Sequence, residues 1–445
     1  MNILIIFISL VLIVPLFMAF IKKMDDIFLL LMSLVFLIGW IADELHLVPH
    51  FFTWSIETLI GILFINYLLP KIVFLRKIEI TPIGKYSLFL LIYVLFGSFI
   101  YFLNFSDVLL GLRAFFKYLF LFFIFINSNF SKKSYKKFFK FWLLLMSIQP
   151  IIGCYQYFIQ GKLGDPVFGT LNSTGIAAVL LIVFIMCLIE LINQKKINNY
   201  ILYGLIFLSM TVIPVFGEAK AFFYFLPFIL FIRYFDQVFK IRFLNISRFL
   251  LVFLFSIYLF QTFFKIEIFD ISGINTSDFV FSKGVESVQQ YEGQESLAIS
   301  LSERFLSMTA TYNFLSQSPL RIFFGDGLGS NIFVYEERKN FSVKTNQDYL
   351  RKFSLSLFIQ NMGLIGFLIF CFLLFKISHY SYKASFIVKD QFFKSIYSII
   401  PAFSVLFLIS MFYTDPFEDT ISFSYWFFVM SLMYSSKDKT ITLDN

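Results

Sequence analysis

The sequence predicts an all-α, polytopic integral membrane protein with about 13 transmembrane helices (range roughly 11–14) and one large extracytoplasmic loop. Three observations predict it. The 445-residue chain is 59% hydrophobic and only 14% charged, well below the charge of a soluble domain. Its apolar residues fall into runs of about 20, the length that crosses a bilayer core. One polar stretch, residues 265–351, interrupts the series. Phe alone contributes 68 residues, which read mainly as lipid-facing bulk.

The first run, 3–21, has no basic residue before it and is followed by Lys22 and Lys23. That is the reverse of a cleavable signal peptide, so it counts as the first span. The next nine are 26–42, 51–70, 86–104, 108–128, 139–160, 174–193, 200–216, 220–236 and 247–264. Residues 1–264 thus carry ten spans and 265–351 the loop. Three more spans, 352–375, 395–413 and 420–435, fill 352–436, and 437–445 is a tail.

Orientation follows from Lys and Arg, which concentrate in cytoplasmic loops. Alternate loops here carry Lys22 and Lys23, then Lys71, Arg76, Lys77 and Lys85, then Lys132, Lys133, Lys136, Lys137 and Lys140. The pattern continues through Lys195, Arg233, Lys240, Lys376, Lys383 and Lys437, whereas the short loops between hold only Lys162 and Lys220. The N-terminus and the 265–351 loop are therefore expected outside and the C-terminus in the cytoplasm. The net charge of +8 is thereby explained by topology, and nucleic acid is not an expected partner. Cys154, Cys187 and Cys371 all lie in apolar runs, which excludes a disulfide framework or a Cys-based metal site. His46 and His50 are four apart, but Pro49 disturbs the helix that a metal-binding pair needs, and no metal or other cofactor is expected. Walker, Rossmann and HExxH motifs are all missing.

A few charges need more than topology. Arg113 and Lys117 lie four apart, on one face of the fifth span. A charge inside the bilayer costs roughly 2.5–3.5 kcal/mol on insertion scales and usually marks a polar cavity. Two stacked cations form a site for an anion; the competing reading is that Arg113 snorkels to the headgroups. Glu218 and Lys220 stand at the mouth of the ninth span, where a helix N-terminus favours anions. Lys220 can bind phosphate there, and Glu218 is either a base or the ion-pair partner of Lys220. In the long loop, Leu301, Phe305, Met308, Tyr312 and Leu315 have the spacing of an amphipathic helix, with Arg304, Ser307 and Thr311 on its other side. Pro319 ends it, and Gly325-Asp-Gly-Leu-Gly follows, a run able to make tight turns.

In their order and topological placement, four segments resemble the polytopic O-antigen polymerase and ligase superfamily. They are Phe168-Gly-Thr-Leu-Asn-Ser-Thr-Gly-Ile-Ala-Ala, Gly217-Glu-Ala-Lys-Ala, Arg304 with Pro319 and Gly325-Asp-Gly-Leu-Gly, and Asn361-Met-Gly-Leu-Ile-Gly. The resemblance implies a membrane glycosyltransferase of the bacterial inner membrane that joins polyprenyl-diphosphate-linked oligosaccharides on its outer face, without metal or nucleotide sugar. It assigns Arg304 and Glu218 to catalysis and Arg113, Lys117, Lys220, Arg321 and Arg351 to the diphosphate, with Asp348 a poorer candidate base than Glu218. A flippase and a chain-length regulator are the implied partners, besides membrane lipid. Ligases of the superfamily carry a His shortly before the closing Gly motif. The stretch from Asp348 to Asn361 has none, which favours polymerase over ligase. A lipid-linked oligosaccharide flippase is the alternative from another class. It is disfavoured because no internal repeat is evident.

Overall fold

The computed structural model describes residues 24–74, 78–101, 103–128, 130–162, 164–194, 199–240, 307–309, 311–328 and 354–437. The spans expected at 3–21 and 247–264 and most of the 265–351 loop lie outside the described residues. Within them the chain is helical, with no strand. A lipid environment enforces this, because a helix satisfies its backbone hydrogen bonds internally. Among the described residues eight helices are long and apolar enough to cross a membrane, the architecture of a polytopic membrane protein.

In chain order the eight are α1 Met24–Ala42, α2 Phe52–Val73, α3 Pro82–Ile100, α4 Phe105–Asn127, α5 Lys132–Ile159, α6 Thr174–Asn193, α10 Ser354–Ile387 and α11 Gln391–Ser410. Between them lie the shorter α7 Tyr200–Phe216, then α8 Lys220–Lys240, whose apolar part is limited to Ala221–Tyr234, and the short helix α9 Pro319–Phe324. Two further helices, α12 Asp419–Met430 and α13 Met433–Lys437, follow α11.

Several ends differ from the hydropathy reading, for local reasons. Helix α3 starts at Pro82 rather than 86: Thr81 Oγ1 accepts the Gly84 N–H at 3.1 Å, and Pro82 needs no N–H at the first helical position. Helix α10 continues to Ile387, well past 375. Lys376 on that extension lays its ammonium over the Tyr86 ring, 5.6 Å from the centroid. A long side chain of this kind keeps its charge on a helix that hydropathy truncates.

At the centre stands α6, in which every residue from Thr174 to Leu188 is buried. Phenylalanine is not only lipid-facing bulk. Phe28 packs on Phe138 at 4.6 Å between centroids, Phe125 on Phe130 at 4.5 Å, and Phe358 lies parallel to Phe417 at 5.1 Å. These rings tie α1, α4, α5, α10 and the α11–α12 connection into one core.

Helices α1, α3, α5, α7 and α11 end where α2, α4, α6, α8, α10 and α12 begin. This end of the bundle is termed the mouth. Three of its arriving helices finish in π-turns, Trp40–Glu44, Tyr155–Ile159 and Val212–Phe216, a distortion frequent at functional sites.

Helical residues 307–309 and 311–316 also reach the mouth, and match the amphipathic reading only in part. Of its apolar stripe Leu315 is buried but Met308 and Tyr312 are exposed, and Ser307 and Thr311 are buried. Ser307 Oγ lies 2.8 Å from Ser356 Oγ of α10, and Thr311 Oγ1 accepts from Gln360 Nε2 at 3.5 Å. Polar groups pair inward here because an apolar surround, unlike water, offers them no other partner.

Candidate functional site

The densest set of charges lies in the mouth. Arg113 and Lys117 do share one face of α4, and the structure gives both of them carboxylate partners. Glu57 of α2 holds the two together: its Oε1 lies 2.8 Å from Arg113 Nε and 3.1 Å from Lys117 Nζ. Lys117 is shared further with Asp419, the first residue of α12. The Arg113 guanidinium stacks over Trp54 at 3.9 Å, which orients its plane. Three helices thus converge on one network. Among the described residues, Glu57 Oε2, Ser55 Oγ and Thr420 Oγ1 are buried without a hydrogen-bond partner. Atoms of this kind also occur away from the mouth, at Gln194 Oε1 and Arg233 Nε.

The acidic side of the network comes from the α11–α12 connection, Asp415-Pro-Phe-Glu-Asp419. Asp415 Oδ1 accepts the Phe417 N–H at 3.0 Å, closing a turn. Phe417 is driven into the core, where it meets Phe115 of α4 and Phe358 of α10, each at 5.1 Å. That anchor brings Glu418 and Asp419 up to α4.

Glu418 immediately precedes α12 but makes no capping bond to it. Its Oε1 accepts instead from Asn172 Nδ2 at 2.6 Å. Glu418 is pushed up to about 7, first by burial and then by Asp415 and Asp419, while the Asn172 bond and Lys117 pull the other way.

Asn172 belongs to the 164–173 loop, which two buried glutamines clamp. Gln156 Oε1 accepts Phe168 N at 3.1 Å and Gly169 N at 2.8 Å, and its Nε2 donates to Gly169 O at 2.8 Å. Gln149 Oε1 accepts Thr170 N at 2.8 Å. Held this way, Asn172 takes φ +64°, a conformation Asn tolerates better than most residues.

The other candidates fall around the mouth. Glu218 is exposed, with φ +53°, and its carboxyl group lies against Gly164. A Cβ on the preceding Gly217 would come within 2.4 Å of Val167 O, so the Gly217-Glu-Ala-Lys segment is fitted to the Asn172 loop. Lys220 begins α8, but its side chain lies outside the described residues, as do Arg304, Asp348 and Arg351. Arg321 is engaged by Asp326 at 3.0 Å and by Gln317, and its guanidinium sits 4.5 Å from the Phe314 centroid. Burial raises the Asp326 carboxyl, and Arg321 opposes that shift.

The remaining two sequence segments interlock. A Cβ on Gly325 would lie 2.1 Å from Gln360 O, and one on Gly363 would lie 2.2 Å from Phe323 O. Gly363 has φ +72°, ψ +174° and kinks α10 there. Asp326 N donates to Gln360 O at 2.7 Å across the joint. Both glycines are required, because each combines a left-handed φ with a backbone approach that leaves no room for Cβ.

The sequence reading singled out Arg113 and Lys117, and Asn172 only as part of the Phe168–Ala178 segment, but not Glu57, Glu418 or Asp419. Glu57 had an available signal, as a lone carboxylate inside the 51–70 span. Glu418 and Asp419 stood in a short acidic loop on the side opposite the basic clusters. No family model matches this chain, and no curated protein matches it.

Proposed function

We propose that the chain is a glycan polymerase of the bacterial cytoplasmic membrane, with about 13 spans, its mouth on the outer face, its N-terminus outside and its C-terminus inside. It joins polyprenyl-diphosphate-linked repeat units, transferring the growing glycan to the end of a new unit, for O-antigen, capsule or exopolysaccharide. The order of the four sequence segments supports this reading. The structural observation that carries it is the convergence of Glu57, Arg113, Lys117 and Asp419 at one end of the bundle.

In this reading the carboxylates hold Arg113 and Lys117 ready, and the diphosphate of the incoming donor replaces them as partner. Charge grows on the diphosphate as the glycosidic bond breaks, and pre-positioned cations stabilise that charge. Lys220, Arg304, Arg321 and Arg351 are the further cations assigned to this step. No metal or cofactor enters it. A flippase supplies the repeat units, and a chain-length regulator acts beside the enzyme.

Deletion of the gene in its native host tests the proposal, with gel analysis of surface polysaccharide and of lipid-linked intermediates. Loss of long chains, with single repeat units capping the surface lipid, is the expected result. Long chains stranded on the carrier lipid would assign a ligase, and repeat units trapped on the cytoplasmic face a flippase. Arg304→Ala and Lys220→Ala are expected to abolish polymer at unchanged protein level. Normal polymer in both would remove these residues from the site.

A further inference from the structure

We infer that Glu418 takes the proton from the attacking sugar hydroxyl, with Asn172 positioning its carboxylate; the assignment rests on the polymerase reading above. A hydroxyl that attacks the anomeric carbon must lose its proton. As the new C–O bond forms, the bond to the diphosphate breaks and its electron pair leaves with the phosphate oxygen. The proton needs an acceptor on the hydroxyl's side.

Three features of Glu418 fit that role. First, it is turned away from the N-terminus of its own helix, so its carboxylate is not consumed as a cap. Second, Asn172 fixes Oε1 at 2.6 Å, and among the described residues Oε2 has no hydrogen-bond partner. One oxygen is therefore held, and the other is presented. Third, Glu418 lies next in sequence to Asp419, which shares Lys117 with Glu57 and through it Arg113. An acceptor for the proton thus stands beside the cations that would receive the leaving diphosphate. Its value of about 7 is where general-base efficiency is greatest near neutral pH.

The charged groups acting on Glu418 are Asp415 and Asp419 on its own segment and Lys117 on α4. Glu57 on α2 is occupied by Arg113 and Lys117, and Asp165, in the Asn172 loop, accepts from Thr174 Oγ1 at 3.0 Å. Glu218 offers a different geometry: an exposed carboxyl on a strained turn, at the Gly164 side of the same loop.

The test uses the purified full chain in phospholipid vesicles, supplied with lipid-linked repeat units extracted from membranes of the deletion strain. Chain growth is followed on a gel from roughly pH 5.5 to 8.5, bracketing the range where a base of this kind titrates. Wild-type rate should fall on the acid side with a midpoint near 7. Glu418→Gln should lose about 10²–10⁴-fold in rate with an unchanged melting temperature, and Glu418→Asp should retain part of the activity. Asn172→Gly keeps the left-handed backbone but removes the amide, which favours the charged carboxylate. Its acid limb should therefore move up by about one unit. A Glu418→Gln enzyme that works at the wild-type rate, or an unmoved acid limb in Asn172→Gly, overturns the assignment. Wild-type protein that leaves the supplied units unjoined at every pH overturns the polymerase reading itself.

Discussion

The two ends of the bundle handle charge in opposite ways. At the end away from the mouth, the ion pairs among the described residues join one cation to one carboxylate, and each ties two elements together. Lys136 of α5 meets Asp390 before α11 at 2.7 Å, and Arg233 of α8 meets Glu190 of α6 at 2.5 Å. Neutral bonds do the same work: Gln194 donates to Ser395 Oγ at 2.7 Å, and Tyr434 donates to Ser131 O at 3.1 Å. At the mouth, beside simple pairs such as Lys162 with Glu44 and Arg321 with Asp326, one set of charges is shared. One oxygen of Glu57 serves two cations and Lys117 is divided between two carboxylates; buried polar atoms without a partner occur at both ends, Arg233 Nε and Gln194 Oε1 among them. The first arrangement is a set of ties whose value is exhausted by folding. The second keeps its groups exchangeable, which suits a place where a charged ligand arrives and leaves.

The largest effects should separate the two kinds of pairing. Arg233→Met alone strands Glu190 in the bundle and should cost roughly 3–5 kcal/mol, read as a lower melting temperature in detergent. Adding Glu190→Leu should restore stability and leave polymer synthesis intact, because a tie can be replaced by packing. Lys117→Met should be as damaging, and adding Glu57→Gln with Asp419→Asn should restore folding but not polymer. Polymer restored with the protein would erase the distinction between the ends.

Next in size are the glycines that hold the mouth's backbone. Gly363→Ala should cost roughly 2–4 kcal/mol, since Cβ meets both a strained φ and a carbonyl oxygen. Gly161 also has positive φ (+66°) but faces open space, so Gly161→Ala should cost only about 1–2 kcal/mol. Equal melting temperatures in the two variants would show that the joint bears no load.

A smaller effect on stability but a clear one on chemistry is expected for Gly39→Ala. Its Cβ would stand 2.5 Å from Asn172 Oδ1. The amide can swing aside for about 1 kcal/mol or less, yet in moving it should release Glu418 and shift the acid limb as Asn172→Gly does. An unshifted limb would mean that the amide gives way without losing its carboxylate.

Smallest is Asp390→Asn. Burial alone would raise this carboxyl, but Lys136 and the Phe392 N–H outweigh it and hold it below the usual carboxylate range. A lowered value stabilises the fold above the ordinary carboxylate pKa, and that stability disappears as pH falls through the folded-state value. Because the pair is about a third exposed, the loss should stay under about 1 kcal/mol at neutral pH and vanish in acid. Melting curves at both pH values check it.

Most of the helical order was legible in the sequence because lipid leaves one backbone solution, and a run of about 20 apolar residues announces it. The ends were less legible. Thr81 and Pro82 start α3 by capping, and Lys376 lets α10 outrun its apolar window. Arg113 and Lys117 were visible as charges out of place. Their partners were harder to read because pairing is a matter of distance in space. Glu418 and Asn172 are joined across 246 residues, and no local pattern carries that information. The 307–316 segment was legible only in part: Leu315 is buried as an apolar stripe requires, whereas Ser307 and Thr311 turn inward to the polar groups of α10.

The Gly325–Gly363 joint bears on how this chain tolerates change. Asp326 and Gln360 are held one hydrogen bond apart, so the polypeptide between them is a closed excursion with fixed feet. Closing such an excursion becomes costlier only with the logarithm of its length: a flexible insertion that doubled it would add about 0.6 kcal/mol. An insertion within residues 329–347, short of Asp348 and of Arg351, which is assigned to the diphosphate, should therefore lengthen the chain while the mouth keeps its shape. A graft there from a chain of different product would test how far one framework can be taught a new sugar.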